Sequence, residues 1–138
     1  MRFIKKICTL VCLAIITLAL SGCSITDSSK TKVADIDFTV VEEENLPAEV
    51  KQIIEEKKAE EFRVVFTAKE NMYIAIGYGE KSTSGYSISV KDLYLTEDSI
   101  RIDTNLIGPQ KGETINEEPT YPYIVVMIEN MDYPVIFD

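Results

Sequence analysis

Histidine and tryptophan are absent from this 138-residue chain, and its three cysteines, Cys8, Cys12 and Cys23, all fall in the first 23 positions. Without histidine there is no Ser-His-Asp or Cys-His catalytic arrangement. The side chain best suited to proton transfer near neutral pH is missing as well. Without histidine or cysteine beyond position 23, zinc, haem and iron–sulfur sites of the usual composition are excluded from the rest of the chain. Basic residues are also scarce, 14 against 23 acidic. An acidic surface repels nucleic-acid phosphates, which demand clusters of Lys and Arg, so no nucleic-acid partner is expected.

What is present begins with an address. Arg2, Lys5 and Lys6 precede an uncharged apolar run from Ile7 to Leu20, then Ser21, Gly22 and Cys23. Basic start, apolar middle and small residues at the cut are the layout of a secretory signal peptide. The run is short for a bilayer core about 30 Å thick, which needs roughly 20 apolar residues. Leu20-Ser21-Gly22-Cys23 resembles a bacterial lipobox, in which the chain is cut before the cysteine and the sulfur is acylated. The expectation is therefore a protein held by acylated Cys23 on the extracytoplasmic face of the cell membrane. More than one acyl chain gives the lasting attachment that a single chain does not.

Removing residues 1–22 from the 138 leaves 116, with 11 basic against 23 acidic residues, a balance of −12. Such a surface also repels anionic headgroups, so membrane contact should run through the lipid alone. Cys8 and Cys12 leave with the leader and Cys23 is lipidated, so no disulfide is available to the folded part. Residues 23–34 are polar and unpatterned at their start and read as a flexible tether. Residues 35–138 read as one small domain.

Within that domain Ile36 to Val41 alternates apolar and polar as a short strand. A helix is expected from about Leu46 to Glu60, with Asn45 as N-cap and Pro47 in the first turn. Leu46, Val50, Ile53 and Ile54 share its apolar face, and Glu55 to Lys58 its solvated face. The period then drops to two. Phe62 to Ala68 and Met72 to Tyr78 predict a hairpin. Tyr86 to Leu95 changes apolar phase across Lys91-Asp92, which predicts a bulge. Ile100 to Ile107 follows. Tyr123 to Ile128 is unbroken apolar and predicts a central strand buried on both faces. Val135 to Phe137, after Pro134, suits an edge. Consecutive strands with short links predict an α+β, mainly β fold: an antiparallel sheet or sandwich of about five to seven strands with one N-terminal amphipathic helix.

The chemical motifs fail for want of context. Gly77 to Tyr86 lacks the third glycine and following helix of a dinucleotide loop, and Gly85 precedes Tyr86 where a phosphate loop needs lysine. Ser29-Lys30-Thr31-Lys32 spells S-x-x-K, but in the tether nothing desolvates the lysine. Asp35, Asp37 and Glu42 to Glu44 miss the EF-hand glycine, with Val40 in its place. The count of acidic residues alone supports no glycosidase pair. A non-enzymatic domain without cofactor or metal is the expectation.

Three loops remain. In Gly79-Glu80-Lys81-Ser82-Thr83-Ser84-Gly85-Tyr86-Ser87-Ile88, in Gly108-Pro109 with Gly112, and in Tyr121-Pro122-Tyr123, the chain resembles the C-terminal domain of the protease complex subunit PrcB family. That family tends to read G-x-K-x-T-G-G-Y in the first loop. Here Ser84 replaces the first of the paired glycines, and Ser82 stands where proline is common. The resemblance extends from about Phe62 to Glu129. It implies an accessory subunit that assists a surface protease complex, a role that concerns a partner and not a reaction. A fainter likeness of the same loops to chagasin-like cysteine-protease inhibitors implies three loops at one end of an immunoglobulin-like sandwich; tryptophan is usual there where Tyr123 stands. Both make Ser82, Thr83, Gly85, Tyr86, Pro109, Gly112, Tyr121, Pro122 and Tyr123 the candidate protein-binding rim. Binding loops on a rigid scaffold commonly take that form, and tyrosine is enriched in interfaces.

Overall fold

The computed structural model describes residues 30–138. The leader, Cys23 and residues 24–29 lie outside the described residues. Eight strands and one α-helix make up the described part, in the order β1 (Ala34–Asp35), β2 (Thr39–Val40), α1 (Ala48–Lys57), β3 (Glu61–Ala68), β4 (Asn71–Tyr78), β5 (Ser87–Leu95), β6 (Ile100–Ile107), β7 (Tyr123–Glu129) and β8 (Val135–Phe137). They form two four-stranded sheets, β1-β5-β6-β8 and β2-β7-β4-β3. The expected mainly β fold with one helix is present, with eight strands in place of five to seven.

Two strand arrangements differ from expectation for identifiable reasons. Of the segment expected to be one strand over 36–41, only Thr39–Val40 is a strand, and the strand just before it, Ala34–Asp35, lies on the other sheet. Ala34 and Asp35 pair with Leu95 and Tyr94, whereas Thr39 and Val40 pair with Met127 and Val126. The amides of Val33 and Ile36 donate to Leu95 and Leu93, and that of Val41 donates to Val125. The alternation of Ile36, Phe38 and Val40 looks the same whether a chain follows one sheet or crosses between two. Pairing therefore begins at Val33, inside the stretch read as tether. At the other end, β8 lies parallel to β6, its residues Val135, Ile136 and Phe137 beside Ile100, Arg101 and Ile102. The other strand pairs are antiparallel.

The helix starts later than its apolar period suggests. Leu46 is extended, with φ −74° and ψ 143°, because the ring of the following Pro47 disfavours helical backbone before it. Asn45 ends a separate 3-10 turn, Glu43–Asn45, and Pro47 takes the N-cap position without a side-chain cap.

Between the sheets lie Met72, Ile74 and Ile76 of β4, Leu93 of β5, Ile100 and Ile102 of β6, and Ile124, Val126 and Ile128 of β7. A second core, on the far face of the same β4 and β7, holds Ala75 and Val125 with Phe62, under Leu46, Val50 and Ile54 of the helical segment. β7 is thus buried on both faces, as its unbroken apolar run requires. Three layers result: helix, sheet, sheet. Removing most of a side chain such as Ile74, 0% exposed, would cost about 2–5 kcal/mol. The register of β5 on β6 shifts between Val90 and Asp92. That bulge is the reason Leu93 and Leu95, and not their neighbours, rejoin the core.

Candidate protein-interaction rim

The three loops converge at the end of the sandwich where β4 finishes and β5 and β7 begin. Lys81 and Thr120 form an isolated antiparallel bridge, each amide donating to the other's carbonyl at 2.8 and 2.9 Å. The Thr120 hydroxyl donates to the Thr83 carbonyl at 2.6 Å. Ser84 is held twice by Asn116: its amide donates to the Asn116 carbonyl at 3.0 Å, and its hydroxyl accepts the Asn116 amide at 2.8 Å. Gly85, at φ +93°, lies so close to Pro109 that a Cβ there would meet the ring at 3.1 Å and Ile115 at 3.3 Å. Tyr86 lays its ring beside Gly108, with a would-be Cβ at 3.6 Å from it. A turn with Gly112 at φ +87° closes through two bonds between Gln110 and Glu113. At its tip Gly112 has open space around it.

These contacts join Thr83, Gly85, Tyr86 and Pro109 into one surface, with Ser82 and Gly112 exposed on it. Tyr121 stands at its edge, half-buried. The Lys58 ammonium lies 5.2 Å above its ring, and its hydroxyl points to a Glu80 oxygen at 3.5 Å. Lys58 is in turn paired with Glu55 at 2.9 Å, and that hydrogen bond raises the lysine's pKa. The Pro122 carbonyl accepts from the Tyr78 amide at 3.0 Å, fixing where the last loop meets the sheet.

Tyr123 is differently placed. Strand alternation turns it with Val125 toward the helix, where it packs on the second core and lines a small cavity of about 150 Å³ with Leu46, Ile54 and Glu55. Burial, reinforced by Glu43 and Glu55, raises its phenol pKa. Its ring supports the helix, while Tyr86 and Tyr121 remain at the rim. Lys58, expected on the solvated helix face, instead covers Tyr121. Its place just past the end of α1 carries no periodic signal, so only the folded chain reveals the pair. Asn116, Ile115 and Thr120 are the other contributors that sequence reasoning missed. They lie in a polar stretch whose value is its backbone and hydroxyl bonding.

A cleft of about 550 Å³ opens on another side, lined by Glu61, Arg63, Tyr78, Thr104, Phe137 and Asp138 among others. The Tyr78 hydroxyl and Thr104 Oγ1 hydrogen-bond across it at 2.6 Å, linking the sheets.

The described loops fall within the one region that a known family matches: residues 72–129 match the PrcB C-terminal model. Residues 72–129 belong to the PrcB C-terminal family. No match to a curated protein or to a solved structure accompanies it. The PrcB C-terminal segment runs from Met72, in β4, to Glu129, the end of β7, and contains every rim residue. It begins ten residues after Phe62, where the sequence resemblance starts, so β3 and α1 lie outside the matched segment.

Proposed function

We propose that this chain is a lipid-anchored, non-catalytic accessory subunit that binds a protease at the cell surface through the loop rim. The observation that carries this reading is the PrcB C-terminal match over the same 72–129 segment whose loops close into one surface. The anchor is Cys23, cut free by removal of the leader, with the first residues of the mature chain as the spacer. Tyr86 and Tyr121 are the aromatic anchors of the rim, and Ser82, Thr83, Pro109, Gly112 and Pro122 shape it. No cofactor takes part.

Two measurements test the reading. Labelling cells with a palmitate analogue should mark the wild type and not Cys23→Ser; equal labelling removes the anchor from the account. Recovery of a surface protease with the full chain from native envelopes, and the stability of that protease in its absence, tests the accessory role. A second reading, protease inhibition by a chagasin-like wedge, is favoured by the packing of two sheets with three loops at one end. Protease activity with and without the added chain separates the two: a helper maintains turnover, whereas an inhibitor lowers it with dose.

A further inference from the structure

β3 is the longest free edge among the described residues; β5 is uncovered from Ser87 to Asp92, where its bulge lies, and β6 from Asp103 to Ile107. The other edge strands, β1, β2 and β8, are two or three residues long, whereas β3 pairs eight in unbroken register with β4. It contains no proline and no bulge, two of the devices that keep natural edges from pairing. Its hydrogen-bonding direction follows from the strands beside it. The Tyr78 amide donates toward β7, to Pro122, and the Val125 carbonyl accepts from Val41, the residue after β2. Direction alternates along an antiparallel ladder, so Glu61, the residue opposite Tyr78, turns its backbone groups outward. Arg63, Val65 and Thr67 do the same. No backbone hydrogen bond crosses this outer edge among the described residues. The side chains of these four are exposed, Val65 at 39%.

We propose that β3 pairs antiparallel with β3 of a second copy of this chain, Val65 opposite Val65, so that two β2-β7-β4-β3 sheets become one. A row of outward amides and carbonyls at two-residue spacing is matched only by another extended backbone. That the extended backbone is a second copy follows from charge. With Val65 at the centre, Arg63 faces Thr67, Val64 faces Phe66 on the helix side, and Glu61 at each end comes level with Lys69 of the second copy, the first residue of the β3–β4 turn at φ +57°. Centring on Val64 loses both Glu61–Lys69 pairs. Centring on Arg63 sets that arginine against itself, and centring on Phe66 sets it against Lys69, and like charges opposite one another are unfavourable. The strand is therefore self-complementary, and the Glu61–Lys69 pairs favour the Val65 register over the equally long Val64 one. The rim is at the end of the sheet and stays free in such a dimer, so this pairing does not depend on the accessory-subunit reading.

The test uses the full chain in detergent, with Cys8, Cys12 and Cys23 replaced by serine so that one introduced thiol is unique. Val65→Cys should be joined into a covalent dimer by a short bis-maleimide. Lys91→Cys, on the exposed bulge of β5, should stay monomeric. Glu61→Lys or Lys69→Glu should each lower the yield by about threefold, the range of exposed ion pairs, and the two together should restore it. Thr67→Pro removes an outward N–H and no bond to β4, and should convert the particle from dimer to monomer in sedimentation, with far-UV circular dichroism showing each variant folded. Equal cross-linking of Val65→Cys and Lys91→Cys would overturn the proposal, as would a charge-swapped double variant without rescue or a Thr67→Pro chain that remains dimeric.

Discussion

Replacing Gly77 with alanine would place a methyl group inside the Phe62 ring. The added Cβ would lie 2.1 Å from one ring carbon and 2.4 and 2.8 Å from two others. Gly77 and Phe62 are directly opposed on β4 and β3, and Phe62 is 8% exposed in the helix-side core, so the ring has little room to turn away. Overpacking of this kind costs about 1–3 kcal/mol. Against it stands a gain of about 0.5–1 kcal/mol from replacing glycine in a strand interior. The net expectation for Gly77→Ala is a loss of about 1–2 kcal/mol. Phe62→Ala alone empties the site at about 3–5 kcal/mol. In that background Gly77→Ala has no ring to strike and should be neutral or stabilising, so the double-mutant cycle closes with a coupling of at least about 1 kcal/mol. Urea unfolding of the full chain followed by far-UV circular dichroism measures all four corners; with no tryptophan in the chain, indole fluorescence is not an option. A Gly77→Ala protein as stable as wild type, or additive losses in the double variant, would refute the packing argument.

Further expectations are simpler to check. Gly85→Ala forces an L side chain to φ +93° against Pro109 and Ile115. It should lower the melting temperature by several degrees, the equivalent of about 1–2 kcal/mol of left-handed strain. Tyr123→Ala should destabilise the protein by about 3 kcal/mol, as loss of a packed aromatic does, whereas Tyr121→Ala should leave the melt nearly unchanged. Because burial raises the Tyr123 phenol pKa in the folded state, its contribution is intact below the ordinary tyrosine range and lost as pH climbs through the raised value. Melts recorded above pH about 10 should therefore fall less steeply in Tyr123→Phe than in wild type.

The strands from β3 to β7 were legible because each carries its own signal within seven to nine residues. Alternation marks β3, an unbroken apolar run marks β7, and the phase change at Lys91 marks the β5 bulge. The rim was legible as three separate loops, since glycine, proline and tyrosine announce turns and contacts locally. What joins the loops was not. The Lys81–Thr120 bridge and the Ser84–Asn116 pair connect positions more than 30 residues apart through backbone groups and hydroxyls that carry no pattern. The sheet switch between Asp35 and Thr39 was hidden because two-residue strands are shorter than any period. Tyr121 and Tyr123 look equivalent around Pro122, yet one meets Lys58 at the surface and the other the core beneath α1. Only the pleat, counted from β7's pairing with β4, separates them.

The accessory-subunit reading stands most directly on recovery of a surface protease from native envelopes with wild-type and Tyr121→Ala chains, melts run in parallel. Loss of a true aromatic anchor costs about 2 kcal/mol of binding, about thirtyfold in affinity. The account predicts that protease accompanies the wild type and is strongly depleted from Tyr121→Ala at unchanged thermal stability. Equal recovery with both chains would contradict it.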